Sequence, residues 1–155
     1  MPFSGGSKAP PGAVIRYVAT RGNPQGHIIL RGASSGPNYS KEWVDKTAKA
    51  LVESDLQPRI MIDCSHANSN KDYTRQAVVC RDVAGQIAAG NKNIIGVMIE
   101  SNLVAGAQRL IPGQPLVYGQ SITDACIDWP ETYSLLKELA AASRTRRNVV
   151  EAVHA

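Results

Sequence analysis

Three apolar runs, His27–Gly32, Arg59–Asp63 and Asn93–Glu100, are too short for packed helices and too continuous for strands with one wet face. They predict strands buried in a parallel sheet. Between the first two, Trp43, Val44, Thr47, Ala48 and Leu51 recur at three- and four-residue spacings, which predicts a helix over about 41–54 with Ser40 at its N-cap. Between the second and third, Val79, Val83 and Ile87 set a helix over Asp72–Ala89 that Gly90 stops. Further on, Ile122–Ile127 predicts a short fourth strand, and Pro130 opens a last helix whose buried stripe is Leu135, Leu136 and Leu139. Within residues 102–120, Pro112-Gly113 marks a turn and Leu116-Val117-Tyr118 reads as a hairpin arm, so this stretch is an inserted hairpin or loop. Val14–Thr20 alternates weakly, as a short edge strand does.

Strands that alternate with helices predict an α/β fold with right-handed parallel crossovers. About four β/α units are half of a (β/α)8 TIM barrel, whose closure takes about 250 residues. This chain has 155. An open doubly wound sheet is the alternative, and neither a GxGxxG nor a Walker motif accompanies it. The expected division is a Gly-, Pro- and Ser-rich tail over 1–13, a partial barrel domain over 14–147 and a tail over 148–155.

Composition alters this picture little. The net charge of +4 owes much to Arg144, Arg146 and Arg147 near a helix C-terminus, where cations complement the dipole. With 5% aromatic residues and no basic-aromatic interleaving, a nucleic-acid partner is not expected. Cys64, Cys80 and Cys126 are odd in number and lack CxxC spacing, which points away from disulfides and structural zinc. No apolar run approaches a membrane span, so the expectation is a cytoplasmic protein without a membrane partner.

Chemistry gathers at the carboxyl ends of parallel strands, and Arg31, His66, Glu100 and Asp124 all fall at or just beyond such ends. Taken singly, His66 reads equally as a capping or loop histidine, and Glu100 and Asp124 as solvated strand-end acids or N-caps. Taken together they form a nitrogen and oxygen donor set suited to Mn, Fe, Co or Zn. Arg31 reads either as a surface ion-pair partner or as a guanidinium fork for phosphate or carboxylate. Cys64 shares side-chain parity with His66 and is a candidate fourth ligand, although core packing is the commoner fate of a free cysteine. Asn68 and Ser69 read as caps of the helix that follows.

Five blocks carry a resemblance: Gly26-His27-Ile28-Ile29-Leu30-Arg31-Gly32, Gly36-Pro37-Asn38-Tyr39-Ser40, Met61 to Ser69 (MIDCSHANS), Ile94 to Ser101 (IIGVMIES) and Tyr118 to Ile127 (YGQSITDACI). Over about Gly22 to Arg147 the chain resembles the carboxyl-terminal half of the type I 3-deoxy-D-arabino-heptulosonate 7-phosphate (DAHP) synthases. The resemblance implies a metal-dependent transferase that condenses phosphoenolpyruvate with erythrose 4-phosphate, releasing phosphate, in the first step of the shikimate pathway. It implies His66, Glu100 and Asp124 as ligands of a divalent metal ion and Arg31 as a contact to the phosphate of phosphoenolpyruvate. The family's cysteine ligand and its Lys-Pro-Arg-Thr and Gly-Ala-Arg-Thr motifs have no counterpart here, Ala33 replaces a usual glycine, and Cys64 replaces a common aromatic. The expectation is therefore a fragment inactive alone, partnered by a missing amino-terminal half or by self-association. The alternative is a non-catalytic half barrel that binds metal or phosphate.

Overall fold

A computed structural model of the chain describes residues 19–20 and 22–153. The tail expected over 1–13 and most of the edge strand expected over Val14–Thr20 lie outside those residues. The first three strands are β1 (Ile28–Leu30), β2 (Ile60–Asp63) and β3 (Ile94–Met98), joined by helices α1 (Lys41–Glu53) and α2 (Gln76–Ala88). They form one parallel sheet in the order β1-β2-β3, in which Leu30 stands beside Ile62 and Ile62 beside Val97. The crossover pattern predicted this arrangement; β2 is nearly as long as its apolar run, while β1 and β3 are shorter than theirs.

Alternation along the strands divides the sheet into two unlike faces. Ile60, Ile62, Leu30 and Ile94 are buried with Val79, Val83 and Ile87 of α2 and with Leu135 and Ala142 of the last helix, α3 (Trp129–Val153). The opposite face carries Ile29, Met61 and Met98, and Ile29 remains 43% exposed. Parallel sheets are normally covered on both faces. Among the described residues the outer edge of β1 also has no strand beside it. Arg81 of α2 grips both carboxylate oxygens of Glu138 on α3 at 3.1–3.2 Å, and the Arg146 guanidinium donates to the carbonyls of Asn91 and Ile94, fixing α3 beneath β3.

Several expectations change in detail. Ser40 occupies the N-cap of α1 in extended conformation, but its hydroxyl makes no cap bond; its carbonyl accepts from Val44 N–H instead. The helix expected from Asp72 starts as a 3-10 turn over Tyr73–Arg75, capped by the Asp72 carboxylate, before α2 proper. Leu136 is exposed, because the buried stripe of α3 runs through Thr132, Leu135 and Ala142, with Leu139 half-buried beside it. Helix α3 continues through Val153 into the stretch expected as a tail.

The insert is not a hairpin. Strand β4 (Val104–Ala107) pairs in parallel with the two-residue β5 (Gln120–Ser121). The backbone of Val117 is held by the side chain of Gln108, which accepts from Val117 N–H and donates to Val117 O, so Leu116–Tyr118 forms no strand. The fourth strand shrinks to bridges for a related reason. Cys126 pairs antiparallel with Gly106 while Ile127 pairs in parallel with Ser101, and these opposed directions leave Ile122–Ala125 irregular.

Candidate metal and phosphate cleft

The loop after β2 is built around a tight 3-10 turn, His66–Ser69, flanked by residues in unusual backbone conformations. His66, Asn70 and Lys71 all have φ between +47° and +60°, a region that ordinary side chains seldom occupy and that clusters at functional sites. The turn is held from inside by Asn68, which is 1% exposed. Its amide donates to the carbonyls of Leu30 at 3.0 Å and Asp63 at 2.8 Å, and its oxygen accepts from Asn38 N–H at 2.8 Å. Asn68 is thus a clasp across the ends of β1 and β2, not the helix cap expected from sequence.

Asn38 in turn accepts from Gly32 N–H at 2.7 Å. Gly32 has φ +78°, and a Cβ there would lie 2.6 Å from Cβ of Ala67. Only glycine lets the chain after Arg31 pass this close to the His66 turn.

Glu100, just past β3, is positioned at both its backbone and its side chain. Gln76 is fully buried; its amide donates to Glu100 O at 3.0 Å and its oxygen accepts from Glu100 N–H at 2.8 Å. Ser65 donates its hydroxyl to Glu100 Oε2 at 2.8 Å. Across from it, Nε2 of His66 lies 3.7 Å from Glu100 Oε1. Behind the ring, Nδ1 is buried 2.8 Å from Oδ2 of Asp63, out of hydrogen-bond alignment.

All four residues singled out from sequence, Arg31, His66, Glu100 and Asp124, line one cleft of about 390 Å³, together with Ser65, Lys71, Tyr73 and Ala125. Arg31 and Asp124 are exposed, His66 and Glu100 half-buried. Cationic and acidic side chains thus share one cavity at the strand ends, where parallel α/β folds gather chemistry.

The donor set suits a divalent cation in chemistry, and its nearest pair nearly suits one in spacing. Two donors about 2.1 Å from a tetrahedral ion stand about 3.4 Å apart, close to the His66 to Glu100 separation. Among the described residues, however, no group of three or more His, Cys, Asp or Glu side chains closes around one point. Asp124 stands on the wall of the cleft and does not complete such a group.

Cys64 is not a fourth ligand. It is fully buried in the core, and a hydrogen bond with the Cys80 thiol, reinforced by burial, raises its pKa so that it stays protonated. Burial likewise raises the pKa of Cys126, assisted by the negative charge of Glu100.

Ser65 and Gln76 were missed by sequence reasoning, which read Asn68 as a cap. Gln76 did leave a signal, since it continues the Val79, Val83, Ile87 stripe of α2 and a polar residue there needs a buried partner. Gln76→Leu keeps the apolar volume but strands Glu100 N–H, while Glu100 O keeps the N–H of Ile127 at 3.0 Å. The expected cost is about 1–3 kcal/mol, read as a lower urea midpoint. An unchanged midpoint would contradict the pinning role.

A parallel α/β chain with basic and acidic side chains lining one cleft at its strand ends defines a broad class, and comparison with known proteins makes it specific. Residues 6–137 match the DAHP synthetase I family, beginning ahead of Gly22, and the chain belongs to that family. It is 52% identical over 130 residues to the phospho-2-dehydro-3-deoxyheptonate aldolase of Haemophilus influenzae, a match that covers 84% of this chain and 36% of that relative. It is 53% identical over 130 residues to the Phe-sensitive enzyme of Escherichia coli, covering 84% of this chain and 37% of the relative. A solved structure of the Francisella tularensis enzyme superposes with a TM-score of 0.79 at 52% identity, over 83% of this chain and 37% of that one. The chain spans little more than a third of the length of these relatives. No helix among the described residues is long and apolar enough to cross a membrane.

Proposed function

We propose that this chain supplies the carboxyl-terminal half of a (β/α)8 barrel active site that condenses phosphoenolpyruvate with erythrose 4-phosphate, giving DAHP and phosphate. The observation that carries the reading is the one cleft in which Arg31, His66, Glu100 and Asp124 meet from the ends of successive strand regions. The open sheet face around Ile29 and the unpaired edge of β1 support a barrel completed by further strands, and the partner is the polypeptide that brings them.

In this reading the Arg31 guanidinium grips the phosphate of phosphoenolpyruvate as a two-pronged donor, with Lys71 adding charge from the facing loop. His66 and Glu100 hold a divalent cation with Asp124 as third ligand, and Ser65 keeps one Glu100 oxygen engaged so that the other turns toward the imidazole. Bound there, the cation supplies Lewis-acid polarisation of the aldehyde oxygen of erythrose 4-phosphate. The buried Asn68 and Gln76 clasps keep the donors from relaxing outward, because precise placement of reacting groups is what such a site contributes.

Calorimetric titration of the chain with Mn²⁺ tests the reading. Binding is expected, weaker than at a complete four-ligand site, and lost in the double variant His66→Ala, Glu100→Ala. Equal binding by the wild type and the double variant would overturn the assignment.

A further inference from the structure

We propose that Asp63 is a positioning residue that fixes the His66 imidazole in the tautomer protonated on Nδ1, leaving the Nε2 lone pair to face the cleft. The inference deepens the reading of His66 as a cleft ligand and rests on that reading only for its consequence, since the geometry stands by itself.

Asp63 is the last residue of β2 and is 2% exposed. A buried carboxylate without partners is strongly disfavoured. Among the described residues its ion-pair contacts are confined to His66, and its two oxygens are divided between two neighbours. Oδ1 accepts from Ser65 N–H at 2.8 Å, and Oδ2 stands 2.8 Å from His66 Nδ1. At that separation a lone pair on Nδ1 would face a carboxylate lone pair and be repelled. A proton on Nδ1 converts the contact into an attraction even when the angle is poor, and it satisfies a nitrogen that is buried with no aligned partner. The imidazole therefore carries its proton toward Asp63, and Nε2, 3.7 Å from Glu100, is free to donate electrons.

The ring cannot easily turn away. The carbonyl of His66 accepts from Lys71 N–H at 2.7 Å and from the Ser69 hydroxyl at 3.2 Å, which holds the residue at φ +47°. The arrangement is the carboxylate-behind-histidine support that orients metal-binding imidazoles in general. No motif in the sequence marks it, because Asp63 reads simply as the polar end of an apolar strand.

Asp63→Asn isolates the effect, being nearly isosteric. The amide oxygen retains the Ser65 N–H, so the amide NH2 faces Nδ1, which must then accept. The ring proton moves to Nε2 and points into the cleft. The same exchange behind a histidine is known to impose the unproductive tautomer elsewhere. The test is ¹⁵N NMR of the imidazole at a pH where it is neutral, combined with Mn²⁺ calorimetry. The wild type is expected to show a protonated Nδ1 and a lone-pair Nε2; Asp63→Asn is expected to invert them and to weaken Mn²⁺ binding by about 10- to 100-fold. A wild-type spectrum with the proton on Nε2 overturns the proposal, and needs no variant to fold. So does Asp63→Asn with the wild-type tautomer and affinity, a result that would leave the cleft reading standing. Inverted tautomers with no Mn²⁺ binding by either chain would support the role of Asp63 and count against the metal site instead.

Discussion

Asn68→Ala is expected to lower the free energy of unfolding by about 3–5 kcal/mol, a large share of the 5–15 kcal/mol that domains of this size command. The substitution strips the side-chain partners from Asp63 O and Asn38 N–H and one of the two donors from Leu30 O, which keeps its ladder bond to β2. The first two are left unsatisfied at about 1–3 kcal/mol apiece, less whatever a water entering the small void recovers. Asn68→Asp separates this account from one based on filling space. Aspartate has nearly the same shape but only accepts, so it confronts two carbonyl oxygens with a third negative centre. It is expected to melt at least as low as the alanine variant, on the order of 10 °C below wild type. Near-wild-type melting of Asn68→Asp would show that the donor pattern is not what holds the turn. Because Asn68 joins the end of β1, beside Arg31, to the His66 loop, both variants should also loosen the cleft before the whole chain unfolds.

How far the chain could be read without coordinates depended on how local the causes were. Helix α1 and strand β2 lay almost where periodicity put them, since Val44 and Ala48 on one face and Ile60 and Ile62 on another state their own burial. The four cleft residues were legible too, because the carboxyl end of a parallel strand is a place that strand assignment alone locates. What stayed hidden were side chains acting on distant backbone. Gln108 replaces a strand partner for Val117, Gln76 pins Glu100 from another element, and Asn68 clasps two strand ends while resembling a cap. The exposure of Leu136 was hidden for another reason: Leu135 and Leu136 are adjacent on a helix, and which of them faces α2 is set by packing that no single helix contains.

The second large effect concerns turnover. This chain alone is expected to show no measurable condensation of phosphoenolpyruvate with erythrose 4-phosphate, even in the presence of Mn²⁺. Holding two substrates in attacking geometry is worth roughly 7 to 11 kcal/mol of barrier, and a cleft of 390 Å³ that is open along one sheet face holds neither firmly. Within it Arg31 and Lys71 are the cations available, whereas two phosphorylated substrates and a carboxylate need neutralising. Losing one preorganised charge-stabilising group typically costs about 100- to 1,000-fold, so the absence of several removes activity altogether. On the proposed reading the cleft is half of a site, and rate should return when an amino-terminal segment of a family member is supplied.

The most direct measurement is phosphoenolpyruvate consumption with erythrose 4-phosphate and Mn²⁺, by this chain alone and mixed with a separately expressed amino-terminal segment of a family member. The account predicts silence from the chain alone, turnover from the mixture, and loss of that turnover when the chain carries Arg31→Ala or His66→Ala. Turnover by the purified chain alone, or a mixture whose rate ignores both substitutions, would contradict it.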